Sequence, residues 1–534
     1  MRNAVIARRV HAGTGTALAA ACLVLAACGP GASSSASSPG SGATRSPGAV
    51  AAGSGSTQAA RSSPGASGSP AVTSTAPASD LSWPQLDGGP ARTGYQPGET
   101  QIGTGDVASL SQARIYPAKA YLSAPLIANG ILYVDADGLY AFDATGATHC
   151  SAAPATCTPL WTAATAYFQG MAVADGKVFV TDGEGVQAFD AAGSENCSGT
   201  PKVCQPLWQT SRNLATGPGF TPGRGSPTVA NGVLYVPGYG DGDPLSQGGA
   251  LVAAFDTAGK RGCSGTPVIC VPMWTTTTGL PGSSGNEGSP AVAGGVLYIA
   301  NGSLYAFDAA GSANCTVTAA GKKCAALWTG AIPAGAGSTG SPPAVAGGMV
   351  YVGTGYSGLF AFDAAGSANC SVAAAGKTCA PLWHAPSAVT IGGTPAVANG
   401  IVYTVSATGI LSAFDAAAPG NCPGTGTVTT CTLSPLWTSE PGAGGYVTSS
   451  SPIVANGVVY FSSADGGTYA YDAAGSLDCS TTATGKTCAP LWHAVTGKIG
   501  GGSPAVVNGV LYINIMGNGT VYAYALTGNA IIRL

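Results

Sequence analysis

Apolar residues recur along this chain in short alternating runs punctuated by glycine, as in SPAVAGGVLYIANGSLYAFDAAG from Ser289. Period-two alternation bounded by turn residues marks half-buried strands, so this unit reads as three strands and two tight turns, the third strand ending in Asp308. The first turn is occupied in successive units by Asn129-Gly130, Asp175-Gly176, Asn231-Gly232, Gly294-Gly295, Gly347-Gly348, Asn399-Gly400, Asn456-Gly457 and Asn508-Gly509. Those residues tolerate the positive φ values of a two-residue hairpin, and eight hairpins are predicted.

A fourth strand carries Leu-Trp or its equivalent, with Trp161, Trp208, Trp274, Trp328, Trp383, Trp437 and Trp492. Only seven such copies exist, and the last unit, from Ser503, stops without one. The missing strand lies at the other end of the chain, where ARIYPAKAYLSAP from Ala113 places Ile115-Tyr116 where Leu-Trp stands elsewhere. Units of roughly fifty residues that each lean on their neighbours predict a closed ring of sheets. The fold expected is therefore all-β, an eight-bladed β-propeller of four-stranded blades closed by the N-terminal strand. Such closure removes the free sheet edges that invite aggregation.

The N-terminus departs from the repeat. Arg2, Arg8 and Arg9 precede the apolar run TALAAACLVLAAC, which is too short to span a bilayer comfortably and ends in small residues, so residues 1–27 read as an export signal. Leu25-Ala26-Ala27-Cys28 resembles the lipobox of bacterial lipoproteins. That resemblance implies cleavage before Cys28, lipidation of its sulfur, and anchoring to the outer face of the cell membrane. Residues 28–80 are rich in Ser, Gly, Ala and Pro, and cannot repay the entropy of ordering. They are expected to form a disordered tether with a reach on the order of 40 Å. Residues 81–534 are assigned to the propeller.

Apart from Cys22 and Cys28, the cysteines form seven local pairs: Cys150 with Cys157, Cys197 with Cys204, Cys263 with Cys270, Cys315 with Cys324, Cys370 with Cys379, Cys422 with Cys431, and Cys479 with Cys488. Even, closely spaced cysteines in an exported chain predict disulfides, each contributing roughly 2 to 3 kcal/mol through chain entropy. No pair has Cys-x-x-Cys spacing and no His stands at ligand spacing, which argues against zinc. All seven loops join third to fourth strands, and are expected to rise as a crown beside the Asn-Gly turns.

Charge and candidate chemistry add little. Charged residues make up 8% of the chain and the net charge is -3, which excludes a basic face for nucleic acid. Asp143, Asp190, Asp256, Asp308, Asp363, Asp415 and Asp472 recur at the end of the third strand, and His384 and His493 both follow Leu-Trp, so all are repeat positions rather than catalytic groups. Asp135 with Asp137, or Asp241 with Asp243, offer oxygen ligands for calcium but match no full binding loop, and no metal site is predicted. A ligand site is expected where the longest connections surround the central channel, on the face opposite the Asn-Gly turns. The candidates there are Arg212, Phe220, Arg224, Tyr239 and Asp241, with Glu287 and Tyr446 in equivalent connections.

The consensus SPAVANGVLYV, LYAFDAATG and LW that the units share is similar to the PQQ-like repeats of quinoprotein dehydrogenases and of the propeller lipoprotein of outer-membrane barrel assembly. WPQLDGGPARTGY at Trp83 also looks like the opening segment of such domains, so the resemblance spans residues 83–534. It implies that the Ala, Asp and Trp of each blade, here Ala361, Asp363 and Trp383, dock neighbouring blades together. The departures are the Cys-bearing insertions and Ala525 where the last blade should carry Asp. For function it implies two readings. One is a noncatalytic scaffold without cofactor, binding a protein or glycan partner. The other is a dehydrogenase of alcohols or sugars using PQQ and calcium, held by a Glu, Asn and Asp set and often an adjacent Cys-Cys pair. The chain has no Cys-Cys, and the scaffold is the expected reading.

Overall fold

The computed structural model describes residues 81–526 apart from 211–219, 241–249, 278–287, 334–340, 418–430, 441–449, 496–501 and shorter stretches between strands. The predicted signal, Cys28 and the linker lie outside the described residues.

Eight sheets form the blades. In the first, Leu126–Ala128, Ile131–Asp135, Leu139–Asp143 and Trp161–Ala163 run antiparallel from the axis outward. Asn129 at φ 51° and Gly130 at φ 72° make the tight turn between its first two strands, and all eight pairs predicted for this position have positive φ. The last blade holds Ala505–Val507, Val510–Ile515 and Thr520–Leu526, and its fourth strand is Leu110–Pro117, paired antiparallel with Ile115 opposite Tyr522. The ring closes as the repeat count requires.

Blades adhere through one recurring contact. Tyr133 in the second strand of the first blade donates its hydroxyl to the Ala191 carbonyl of the next blade at 3.0 Å, and the Trp161 indole N–H donates to the same oxygen at 3.3 Å. Both rings are buried, so their polar tips need partners and find them across the seam. Gly193, at φ 66°, lies flat on the Trp161 ring, where any Cβ would collide with Cδ1.

Trp383 behaves as the resemblance implies, donating to Ala416 of the following blade at 3.2 Å. The Asp363 carboxylate does not. It accepts Ser367 N at 2.7 Å and Ala368 N at 2.8 Å, both in its own blade, and so caps the turn into the Cys loop. A short carboxylate at a strand end reaches the free N–H groups of its own turn before it reaches a neighbour. What crosses the seam is the carbonyl of the next residue, Ala364, which accepts from Tyr298 at 2.8 Å.

Six predicted disulfides are formed among the described residues; Cys422 lies outside them. The loops do not stand up as a crown. Each returns over the rim and lays a strand, parallel, on the outer strand of the preceding blade. Val203–Cys204 thus pairs with Trp161–Ala163, Ile269–Cys270 with Trp208–Thr210, and Gly485–Cys488 with Trp437–Ser439. The same clasp joins Gly321–Cys324 to Trp274–Thr277, Gly376–Cys379 to Trp328–Gly330, Cys431–Thr432 to Trp383–Ala385, and Ala155–Thr156 to Leu110–Pro117. The reason is the free edge: an outer strand exposes unpaired N–H and C=O groups, and the nearest chain that can satisfy them is the next blade's loop.

Candidate functional site

The innermost strands neighbour one another around the axis, which would leave their edges unpaired. The segment from Trp83 to Glu99 supplies the partners. Trp83 exchanges backbone bonds with Ile127 at 2.7 and 3.0 Å, and Pro84 O accepts from Val173 at 2.8 Å. The Gln85 amide bonds both backbone groups of Val229, at 3.0 and 2.9 Å. Val292, Val345, Val397 and Val454 then donate in turn to the carbonyls of Pro90, Ala91, Thr93 and Gly94, each at 2.7 to 2.9 Å. In the last blade Gly509 N donates to Glu99 Oε2 at 2.9 Å. One segment therefore visits all eight blades, always near the first turn, and fills that end of the channel.

Arg92 is the hub of this plug and is fully buried. Its Nε donates to Pro290 O at 2.7 Å, Nη1 to Leu86 O at 3.2 Å, and Nη2 to Ser226 O at 3.0 Å and Thr228 Oγ1 at 2.7 Å. Burial lowers its pKa to about 10 against the opposing field of Asp87, so it stays charged at neutral pH. Asp87 is equally buried, and burial raises its pKa while Arg92 pulls it back. Thr394 and Ser451 stand near its carboxylate, but neither oxygen makes a hydrogen bond.

Further along the axis the Ser/Thr-Pro starts of the inner strands interlock. Ser226 N donates to Ser289 Oγ at 2.7 Å, Thr394 N to Ser451 Oγ at 3.0 Å, Ser451 N to Ser503 Oγ at 2.9 Å, and Ser341 Oγ to Gly393 O at 2.8 Å. This hydroxyl ring is part of the frame.

A pair of carboxylates missed in the sequence appears between the first and second blades. Asp135 and Asp182 end the second strands of those blades and are fully buried. Thr165 Oγ1 donates to Asp135 at 3.2 Å, and the next residue, Ala166, donates its N–H to Asp182 at 3.1 Å. Asp182 also accepts from Gly185 N at 2.9 Å and Gln187 Nε2 at 3.1 Å. Burial pushes the Asp135 carboxyl up to about 7, with the charges of Asp182 and Asp137 adding to it. The sequence signal was an acid at the end of a strand in each of two adjacent units, which in isolation reads as a turn residue. Among the described residues no three His, Cys, Asp or Glu gather as metal ligands.

Of the ligand-face candidates, Arg212, Arg224, Asp241, Glu287 and Tyr446 lie outside the described residues. The backbone of Tyr239 lies in Val233–Gly240, between Thr221 and Ala250. The connection before Ser226, read in sequence as a loop, contributes an added strand, Phe220–Pro222, to the third blade. His384 stacks on Phe360 at 4.8 Å with Nε2 3.1 Å from Ser357 O, and His493 stacks on Tyr469 at 6.1 Å, so both serve their blades.

The profile of a family described as outer membrane protein assembly factor BamB matches residues 104–417 and 313–487. No curated protein matches the sequence. Among solved structures the chain is similar to quinohemoprotein alcohol dehydrogenase from Comamonas testosteroni, at 14% identity and a TM-score of 0.56, over 85% of this chain and 82% of that one. It is similar to quinohemoprotein alcohol dehydrogenase ADHIIG from Pseudomonas putida HK5, at 15% identity and 0.54, over 85% and 81%. The computationally designed protein Ika8 aligns at 10% identity and 0.52, over 78% and 99%. Likeness at such identity is one of fold, since a propeller hosts unrelated functions. With well over half of its length inside the matched span, the chain belongs to the PQQ-like propeller family of the assembly factor BamB.

Proposed function

We propose that this protein is an exported, lipid-anchored propeller that acts as a noncatalytic binding or assembly scaffold at the cell surface, with a protein or glycan as its partner. The observation that carries this reading is the spent channel: Arg92, Gln85 and the hydroxyl ring direct their polar atoms into the frame rather than toward a ligand. A scaffold works through its surfaces, and the clasped, disulfide-bonded rim suits a rigid one. The disulfides agree with export, and the lipobox at Cys28 supplies the anchor.

The alternative is a dehydrogenase of alcohols or sugars using PQQ and calcium. Calcium takes six to eight oxygen ligands, usually with several carboxylates among them. The described residues along the axis supply hydroxyls and two carboxylates, Asp87 beside the Arg92 cation and Glu99, whose two oxygens already accept from Gln101 N and Gly509 N, so they do not fit that group. No step is derived through it.

Calorimetric titration of residues 81–534 with PQQ, with and without calcium, separates the two readings. Absence of heat and of any thermal shift is expected; calcium-dependent binding at micromolar concentration or tighter would overturn the scaffold reading. Crosslinking on intact cells then identifies the partner, and mass spectrometry of the mature N-terminus tests for a diacylated Cys28.

A further inference from the structure

The seam between the first and second blades holds two negative charges that packing does not call for. Five residues beyond the last glycine of its first turn, the first blade carries Asp135, where the seventh and eighth carry Ser462 and Asn514 and no other blade has an acid. Six residues beyond that glycine the second blade carries Asp182, where the others are again without an acid, as at Asn301 and Ser463. The repeat folds with neutral residues at both places, and the two acids coincide at this seam alone.

Alternation along the strands turns them toward each other. Asp135 lies two residues after Tyr133, on the side from which the Tyr133 hydroxyl crosses to Ala191 of the second blade. Asp182 lies on the side of Val178 and Val180, which pack in one cluster with Tyr133 and Trp161 of the first blade. Thr165 and Ala166 bond one carboxylate each, at 3.2 and 3.1 Å, so consecutive residues of a single connection touch both acids.

Asp135 is the group left short. Its side chain is fully buried, Oδ1 accepts from Thr165, and Oδ2 makes no hydrogen bond. The Gly138 N–H favours its charged form, but the charges that act on it are those of Asp182 and Asp137, and among the described residues no cation does. A carboxylate taken out of water without a counter-charge is costly, and a second carboxylate opposite adds to the cost. A cation at Oδ2 relieves both. The donors at hand are all oxygen, two carboxylates and the Thr165 hydroxyl. Such hard ligands suit calcium, which accepts irregular geometry and completes its shell with carbonyls and water, whereas magnesium demands a near-ideal octahedron. Ala164 is exposed and Thr165 and Ala166 are half-buried, so that connection is the path to solvent.

We propose that a calcium ion binds between Asp135 and Asp182, with Asp135 Oδ2 as a direct ligand, and staples the first blade to the second. Asp182, already held by the N–H groups of Gly185 and Gln187, supplies the second charge. Two carboxylates make a weak site, in the range of about 0.1 to 1 mM that extracellular modules use. The acids stand at the ends of second strands rather than on the axis, so this site is independent of whether PQQ binds.

Thermal unfolding of the full chain with calcium alone tests this. After treatment with EDTA, calcium at pH 8 should raise Tm with half its effect at about 0.1 to 1 mM, and magnesium should need about tenfold more. Asp135→Asn and Asp182→Asn should each abolish the rise. In EDTA the Asp135 substitution removes a liability; in calcium it removes a ligand. Calcium must displace the proton that burial keeps on Asp135 up to about pH 7, so it should bind about tenfold more weakly at pH 6 than at pH 8. No calcium-dependent rise at pH 8 would overturn the proposal and leave a proton as the only occupant. So would a rise that persists unchanged in Asp135→Asn, because the ion would then bind elsewhere.

Discussion

Arg92 donates its Nε–H to the Pro290 carbonyl at 2.7 Å, joining residues 198 positions apart. The bond fixes the N-terminal segment in the channel of a ring that the rest of the chain builds. Because the same guanidinium serves Ser226 and Thr228, its loss is felt in two blades and in the plug.

Arg92→Met should therefore destabilise the protein by about 3 to 5 kcal/mol, the cost of leaving buried acceptors and the Asp87 carboxylate without a cation. Asp87→Asn in that background should recover part of the loss, because the orphaned charge is then gone. Urea unfolding of the single and double variants reads both effects.

Asp135 should make stability fall as pH rises. Its folded pKa, about 7, lies above the ordinary value of 3.8 for a free Asp carboxyl, so the folded state binds the proton more tightly. The contribution is intact below about pH 4 and is lost as pH rises through 7. Asp135→Asn should raise stability at pH 8, by an amount on the order of 3 kcal/mol, and have no stabilising effect at pH 4. Melting temperatures across that window decide it.

Replacing Cys197 and Cys204 by Ser removes the cross-link but not the strand pairing. A loss of roughly 2 kcal/mol is expected. Faster exchange at the Thr162 amide, which donates to Lys202 O at 3.0 Å, should accompany it, because the clasp crosses to the preceding blade. If the hairpin merely stiffened its own blade, Thr162 would not respond.

Gly193→Ala combines a left-handed backbone at φ 66° with a collision on the Trp161 ring. The ring cannot withdraw, since its N–H is bonded to Ala191. A loss of about 2 kcal/mol or more is expected, together with a shift in tryptophan emission as the seam loosens.

The blade pattern was legible because strand alternation and turn chemistry are local. Asn129-Gly130 declares its hairpin wherever it occurs, and seven outer-strand Trp against eight turns calls for the N-terminal strand that places Ile115 opposite Tyr522. The disulfide partners were legible for the same reason, being neighbours in sequence. The candidate site was not. Arg212, Arg224, Asp241, Glu287 and Tyr446 were chosen from loop length, and no local pattern bears on where such residues point.

What the sequence determined by itself is the number of blades, their closure, and which residues bury, all set by interactions within one repeat. Only the tertiary structure decided what satisfies the edges the ring leaves open. The clasp of Val203–Cys204 on Trp161–Ala163, the course of Trp83 to Glu99 through the channel, and the meeting of Asp135 with Asp182 each join groups from different blades. Their partners are chosen by proximity once the blades have assembled, and backbone hydrogen bonding, indifferent to side-chain identity, leaves no mark of that choice in the sequence.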